Sequence, residues 1–273
     1  MAKATTTQVN TWDAALAKSA VVASKAEAKA APRSFVGMGG GKMTINGADQ
    51  PNNEAVVIAL DQIHANLYYE SDYDASTPVP PTCYAFGVIN DDGDVVGHDT
   101  WDGRAEMAPH KDVKERVHTD CATCPLNQFG SAKKGKGKAC QNTRRVALIP
   151  AGTMIDGRPS FCDKAEQIES APLVYLKVPT MSVKPLSGWV TQVANALELP
   201  TWGVFGKLTR VPNAVSQYTA QWETLGKIPS KLLEAVYKRV QQAKEDIVHP
   251  FAPAAEVPAK AKGAPAAKKR KYT

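Results

Sequence analysis

Cys121-Ala-Thr-Cys124 sets two thiols three positions apart, and Cys140 follows after fifteen intervening residues. A Cys-x2-Cys turn points both sulfurs at one ion, and Zn²⁺ takes four ligands in a tetrahedron. The second half of such a site commonly lies at this distance. Cys121, Cys124 and Cys140 are therefore candidate zinc ligands, and a fourth is wanted. Cys83, directly after Pro-Pro-Thr, would be delivered from a distance by another element. His118, just upstream of Cys121, would have to fold back over a very short span. Cys83 is preferred, with His118 as the alternative. Cys162 has no partner at such a spacing and reads as a small buried apolar side chain.

A catalytic zinc keeps one position for water, with an acid or base beside it. The chain lacks the His-x-Glu and Pro-Cys-x-x-Cys pair of the zinc nucleobase deaminases, and it has no His-Glu-x-x-His. Asp91, Asp92, Asp94, Asp99 and Asp102 read as turn residues of a solvated hairpin rather than as Mg²⁺ ligands. The expectation is one structural Zn²⁺ per chain, no catalytic residue and no enzymatic activity.

Between the cysteines runs Pro-Leu-Asn-Gln-Phe-Gly-Ser-Ala-Lys-Lys-Gly-Lys-Gly-Lys-Ala. Lys133, Lys134, Lys136 and Lys138 supply point charges for phosphates, and Gly135 and Gly137 let a backbone approach closely. Arg144 and Arg145 follow. A metal at the base of this loop would hold it so that it can lie along a polyanion. Aromatic residues lie near these cations in sequence: Tyr68, Tyr69, Tyr73, Tyr84, Phe86, Trp101 and Phe129. A basic groove with aromatic platforms suits single strands, whose bases stack on the rings. Tyr84 and Phe86 share one strand face, which raises them as a pair.

Charge is segregated along the chain. Twelve acids against three bases lie between Asp61 and Glu115, whereas six bases and no acid lie between Cys121 and Arg145. Residues 251–273 carry six bases and one acid. A body near neutrality with one strongly basic segment points to a local anion site. No run is long and apolar enough to span a membrane, and no secretory signal is apparent. A cytoplasmic protein with reduced cysteines is expected, with no membrane partner and no small-molecule substrate.

The elements that must position these residues read as follows. Residues 1–49 form a flexible leader, with a helix over Thr11 to Ala31. The run from Glu54 is a strand or a buried helix, since periodicity alone does not decide. Cys83 to Trp101 holds two strands joined at Asp92-Gly93. Arg144 to Gly152, Pro172 to Pro179, Thr201 to Pro212 and Ser216 to Gly226 read as strands. One helix has Leu186, Trp189, Val190, Val193 and Leu197 on one face, with Pro185 near its start. A last helix is capped by Ser230, with Leu233, Val236, Tyr237, Val240 and Ile247 inward. Residues 251–273, rich in Ala, Pro and Lys, form a disordered basic tail. The sum is a mainly β (α+β) domain over 50–250. It reads as a small Greek-key barrel with two or three packed helices and a zinc-binding insertion at about 83–145.

Pro-Pro-Thr-Cys83, the segment from Cys121 to Pro150 and the segment from Pro172 to Val190 together resemble a family of tailed-bacteriophage single-stranded DNA-binding proteins. The resemblance runs from about Pro78 to Val248. It implies an OB-fold-like core and a protein that coats and protects single-stranded DNA in phage DNA replication, recombination or repair. It also implies Cys83 beside Cys121, Cys124 and Cys140 as metal ligands, phage replication or recombination proteins as further partners, and the host bacterial cytoplasm as the location. Many single-strand binding proteins end in an acidic tail, whereas this chain ends in a basic one. The alternative function is a zinc-ribbon regulator that binds duplex DNA or a host polymerase.

Overall fold

The apolar run after Glu54 is a strand, β4, spanning Glu54–Tyr68. It shows no alternation because both of its faces are covered. Val56, Ile58 and Leu60 enter one core cluster, and Val57 and Ala59 enter a second on the other face.

The computed structural model describes residues 19, 34–71, 79–133 and 135–251. Apart from Ser19, the helix expected over Thr11 to Ala31 lies outside these residues, as do Tyr73, Lys134 and the tail beyond Phe251. The strands before β4 are β1 (Ser34–Phe35), β2 (Thr44–Ile45) and β3 (Ala48–Asp49). After it come β5 (Cys83–Ile89), β6 (Val95–His98), β7 (Gln141–Ile155), β8 (Arg158–Phe161), β9 (Val174–Val178), β10 (Val204–Asn213) and β11 (Gln217–Lys227). The helices are α1 (Ala165–Ser170), α2 (Thr180–Leu197) and α3 (Ser230–Asp246). Nine strands form one sheet in the order β1-β9-β7-β4-β10-β11, with β5 and β6 joined through β4 and β8 through β7. The fold is mainly β, a curled half-barrel sheet with three helices among the described residues.

β4 changes partner along one edge. Its first residues pair with β10, and residues 64–68 pair with β5. A register break between Ala59 and Asp61 marks the bend, as bulges do in strongly curved sheets. One face of the sheet is covered by α3 and the other by α2, where Trp189 stacks on Trp222 at 5.0 Å.

Three expectations are corrected. The leader ends earlier than residue 49: β1 pairs in parallel with β9, and Val36, Met38, Met43 and Ile45 are buried in the second cluster. α2 starts before Pro185, which lies inside it. α3 follows Pro229 without a side-chain cap, and its buried face is Leu232, Ala235, Val236, Val240 and Ala243. Leu233 is only partly buried, and Tyr237 is 52% exposed.

Among the described residues of 99–140, between β6 and β7, the one helical element is a short 3₁₀ turn, Pro125–Asn127. They bury few apolar side chains, Ala108 and Val113 among them. A segment this long with so little core of its own needs another anchor. One anchor is a close crossing. Gly87 and Gly97 face each other across the β5–β6 pair. A Cβ on Gly87 would meet Met107 Sδ at 2.7 Å, and one on Gly97 would meet Glu106 O at 2.4 Å. The insertion crosses where two side chains would otherwise stand.

Candidate metal centre and nucleic-acid interface

Strand parity decides what each predicted residue can do. On β5, Cys83, Ala85 and Gly87 turn one way and Tyr84 and Phe86 the other. Cys83 reaches a small cavity whose wall also includes Cys121, Cys124, Cys140, His118, Asn66, Tyr68 and Ala85. Its volume is about 20 Å³, room for an ion or a single water and for no organic ligand. All five cysteines are free thiols. Burial pushes the Cys121 thiol up to about 11 and the Cys140 thiol up to about 12. Cys83 and Cys124 add to both by repulsion, so the four sulfurs feel one another. Burial also raises Cys83, opposed by a hydrogen bond from the Val117 backbone. Among the described residues, no three His, Cys, Asp or Glu side chains are placed to hold a metal ion as they stand. The donors nevertheless fit Zn²⁺: four sulfurs on one small cavity is the chemistry of a closed structural site.

His118 lines the same cavity, but its Nδ1 is engaged locally, with the Asp120 N–H at 3.4 Å. Asn66 and Asn127 were missed by sequence reasoning. Asn66 is buried, hydrogen-bonds the Cys121 thiol and accepts from Asn142 Nδ2 at 2.6 Å. Asn127 Nδ2 donates to Cys121 O at 2.6 Å. Groups of this kind orient ligands. Asn127 had the signal of a polar residue three positions after Cys124, whereas Asn66, seventeen positions before Cys83, had none.

The loop above the cavity is folded rather than slack. Ser131 Oγ lies within reach of Leu126 O and Gln128 O, sharing its one proton between them, and accepts from the Ala139 N–H. Gly130 and Gly135 take left-handed φ of +89° and +80° to turn the chain. Lys133 Nζ donates to Glu70 O at 2.7 Å, tying the loop to the end of β4. Lys136 is exposed. Lys138 Nζ sits 5.1 Å from the centre of the Phe129 ring, and Phe129 is 83% exposed. A bare ring beside a cation can take a nucleobase on its face and a phosphate at its edge.

Tyr84, Phe86 and Arg145 are corrected: all three are buried. Tyr84 and Phe86 point away from the loop by the parity that sends Cys83 toward it, and they join the α3-side core. Arg145 is 3% exposed, its NH1 donating to Ile247 O at 2.8 Å and His249 O at 2.7 Å. Its guanidinium lies against Phe86 and Phe251. Tyr69 faces the same way, with Lys177 5.0 Å over its ring. Arg144 has the opposite parity and pairs across the strands with His64. Arg144 and Tyr68 are half-buried.

His64 gives a pH prediction. Burial, and then the Arg144 charge, lower its pKa to about 4. An unfolded chain takes up this proton near pH 6.5 and the folded chain only near 4. Stability is therefore present above about pH 6.5 and is lost as pH falls through that window. Discounted for the half-exposed ring, the loss is about 1–2 kcal/mol. Urea unfolding at pH 7 and pH 4.5 should show it in the wild type and not in His64→Gln. Parallel losses in both proteins would reject this role.

Among the described residues no helix is long and apolar enough to cross a membrane. No protein-family model, curated protein or solved structure matches the chain.

Proposed function

We propose that this chain binds single-stranded DNA without catalysis. The lysine loop with Phe129 would form the contact surface, and one structural Zn²⁺ on Cys83, Cys121, Cys124 and Cys140 would hold it. The observation that carries this reading is the convergence of four cysteines from three stretches of chain on one cavity beneath the exposed loop. The metal would fix the base of the loop and so lower the ordering cost of binding. Lys133, Lys136, Lys138 and Phe129 are the proposed contacts, with Lys134 beside them in sequence. Arg144 and Tyr68 lie on the face of the sheet that carries the cavity. We read the curled sheet, bent where β4 changes partner, as OB-like with a zinc-binding insertion. A protein of this kind would coat and protect single strands in phage replication, recombination or repair, alongside other proteins of those processes.

The test titrates the full chain, its metal content known, against a labelled single-stranded oligonucleotide and the same sequence as a duplex. Tighter single-strand binding that weakens steeply with salt is expected, because neutralised phosphates release counterions. Lys136→Gln should lower the log–log salt slope by about 0.7 at unchanged thermal stability. Phe129→Ala should weaken binding by about 1–3 kcal/mol. Equal or better duplex binding, or a flat salt response, would sink the reading.

A further inference from the structure

Where the insertion leaves the sheet, a second group of donors stands apart from the cysteines. His98 ends β6, and Asp99 follows with a left-handed φ of +49°. His110 returns to the same place: its N–H donates to Tyr84 O at 2.8 Å, and Thr100 bridges to it. His98 Nδ1 lies 3.8 Å from Asp99 Oδ2, and His110 Nε2 lies 3.7 Å from the same oxygen. Both separations are too long for hydrogen bonds. Both nitrogens are nonetheless shut off from solvent and have no hydrogen-bond partner. The His110 side chain is 1% exposed. The other carboxylate oxygen takes Lys111 Nζ at 3.0 Å.

One buried nitrogen without a partner is uncommon, and two aimed at one carboxylate oxygen call for a bridging group. We propose that His98, Asp99 and His110 bind a divalent first-row transition ion, such as Zn²⁺, in a site separate from the four cysteines. Two imidazoles and a carboxylate suit such ions. Tetrahedral ligand atoms about 2.0–2.2 Å from one ion stand about 3.3–3.6 Å apart, so the observed 3.8 and 3.7 Å must shorten by a few tenths of an ångström on binding. As they stand, no three His, Cys, Asp or Glu side chains among the described residues are placed to hold a metal ion, so binding requires His98, Asp99 and His110 to draw together.

The ring proton has somewhere to go. The Asp112 N–H donates to His110 Nδ1 at 3.2 Å, which puts the proton of the neutral ring on Nε2. On ligation through Nε2 the proton moves to Nδ1. There Tyr84 Oη at 3.3 Å stands as the acceptor, and Asp112 Oδ2 at 3.6 Å is beyond hydrogen-bond reach until the ring shifts. A carboxylate behind a ligating imidazole is the usual support for such a ligand.

The test strips the full chain of metal and titrates it with Co²⁺, followed by absorption spectroscopy and by metal analysis, and then repeats the titration with Zn²⁺. Two ions per chain are expected. One should show intense thiolate-to-cobalt charge transfer, and the other only weak ligand-field bands from nitrogen and oxygen donors. His98→Gln and His110→Gln should each weaken the second ion at least tenfold and leave the thiolate band unchanged. His98 is partly exposed, so His98→Gln decides the matter if the buried variant fails to fold. A wild type that takes up no nitrogen- and oxygen-bound ion, as when water fills the gap, would overturn the site. Unchanged second-ion affinity in His98→Gln would do the same. The thiolate band reports separately on the four-cysteine reading.

Discussion

Replacing Cys140 with serine is expected to strip zinc from the chain and to abolish single-strand binding. Cys140 is buried at the base of the lysine loop, its N–H donating to Leu126 O at 2.8 Å. Residues 99–140 bury too few apolar side chains to hold themselves together. In small zinc modules the metal supplies most of the folding free energy, about 10–16 kcal/mol in peptides. Loss of one thiolate should therefore release the insertion while the sheet survives, because the two core clusters draw almost entirely on other elements. Metal analysis should fall from about one zinc at the thiolate site to none. Limited proteolysis should cut first within 99–140, and affinity for the oligonucleotide should drop at least a hundredfold. Cys162→Ser, outside the cavity wall, should retain both zinc and binding. Full metal in Cys140→Ser, or undiminished binding by metal-stripped wild type, would refute the structural role.

Arg145→Ala is expected to cost about 3–5 kcal/mol of stability and to leave the salt slope of DNA binding where it was. Its guanidinium ties β7 to the chain after α3 through Ile247 O and His249 O and packs against Phe86 and Phe251. Truncation leaves buried carbonyls without this donor and a hole beside two rings. Urea unfolding measures the loss. A stable Arg145→Ala protein that binds single strands poorly would show that the side chain leaves its buried position to meet the strand. Its neighbour Arg144 has the opposite parity, so Arg144→Ala should weaken binding more than it weakens the fold.

The contrast between these arginines shows what was legible in the sequence. The convergence of Cys121, Cys124 and Cys140 on one cavity was readable because chelation imposes spacing, and that of Cys83 because a tetrahedral site would want a fourth donor. The β5–β6 hairpin followed from Asp92-Gly93, and most longer strands from their flanking turn residues. The proposed DNA contacts were harder. Nearness in sequence put Arg145 beside the loop, but side chains alternate along a strand, and β7 turns Arg145 into the core. The same rule, applied to Cys83, would have sent Tyr84 and Phe86 away from the loop. Residues 34–49 resembled a leader because their strands are only two residues long. What holds them is contact with distant α2 and β9, which no local pattern announces. β8 had a usable signal in Asp156-Gly157, both at positive φ. His98 and His110 carried none, since eleven residues of irregular chain separate them.

The crossing of the insertion over Gly87 and Gly97 has a kinetic consequence. The landing place for residues 105–107 exists only once β5 and β6 have paired, and Cys83 is aimed only once β5 has joined β4. Ligands recruited over so long a stretch of chain cannot gather on a nascent, unpaired polypeptide. Metal capture would then be a late event that waits for the sheet, and the appearance of the thiolate–cobalt band during refolding would serve as a clock for strand pairing.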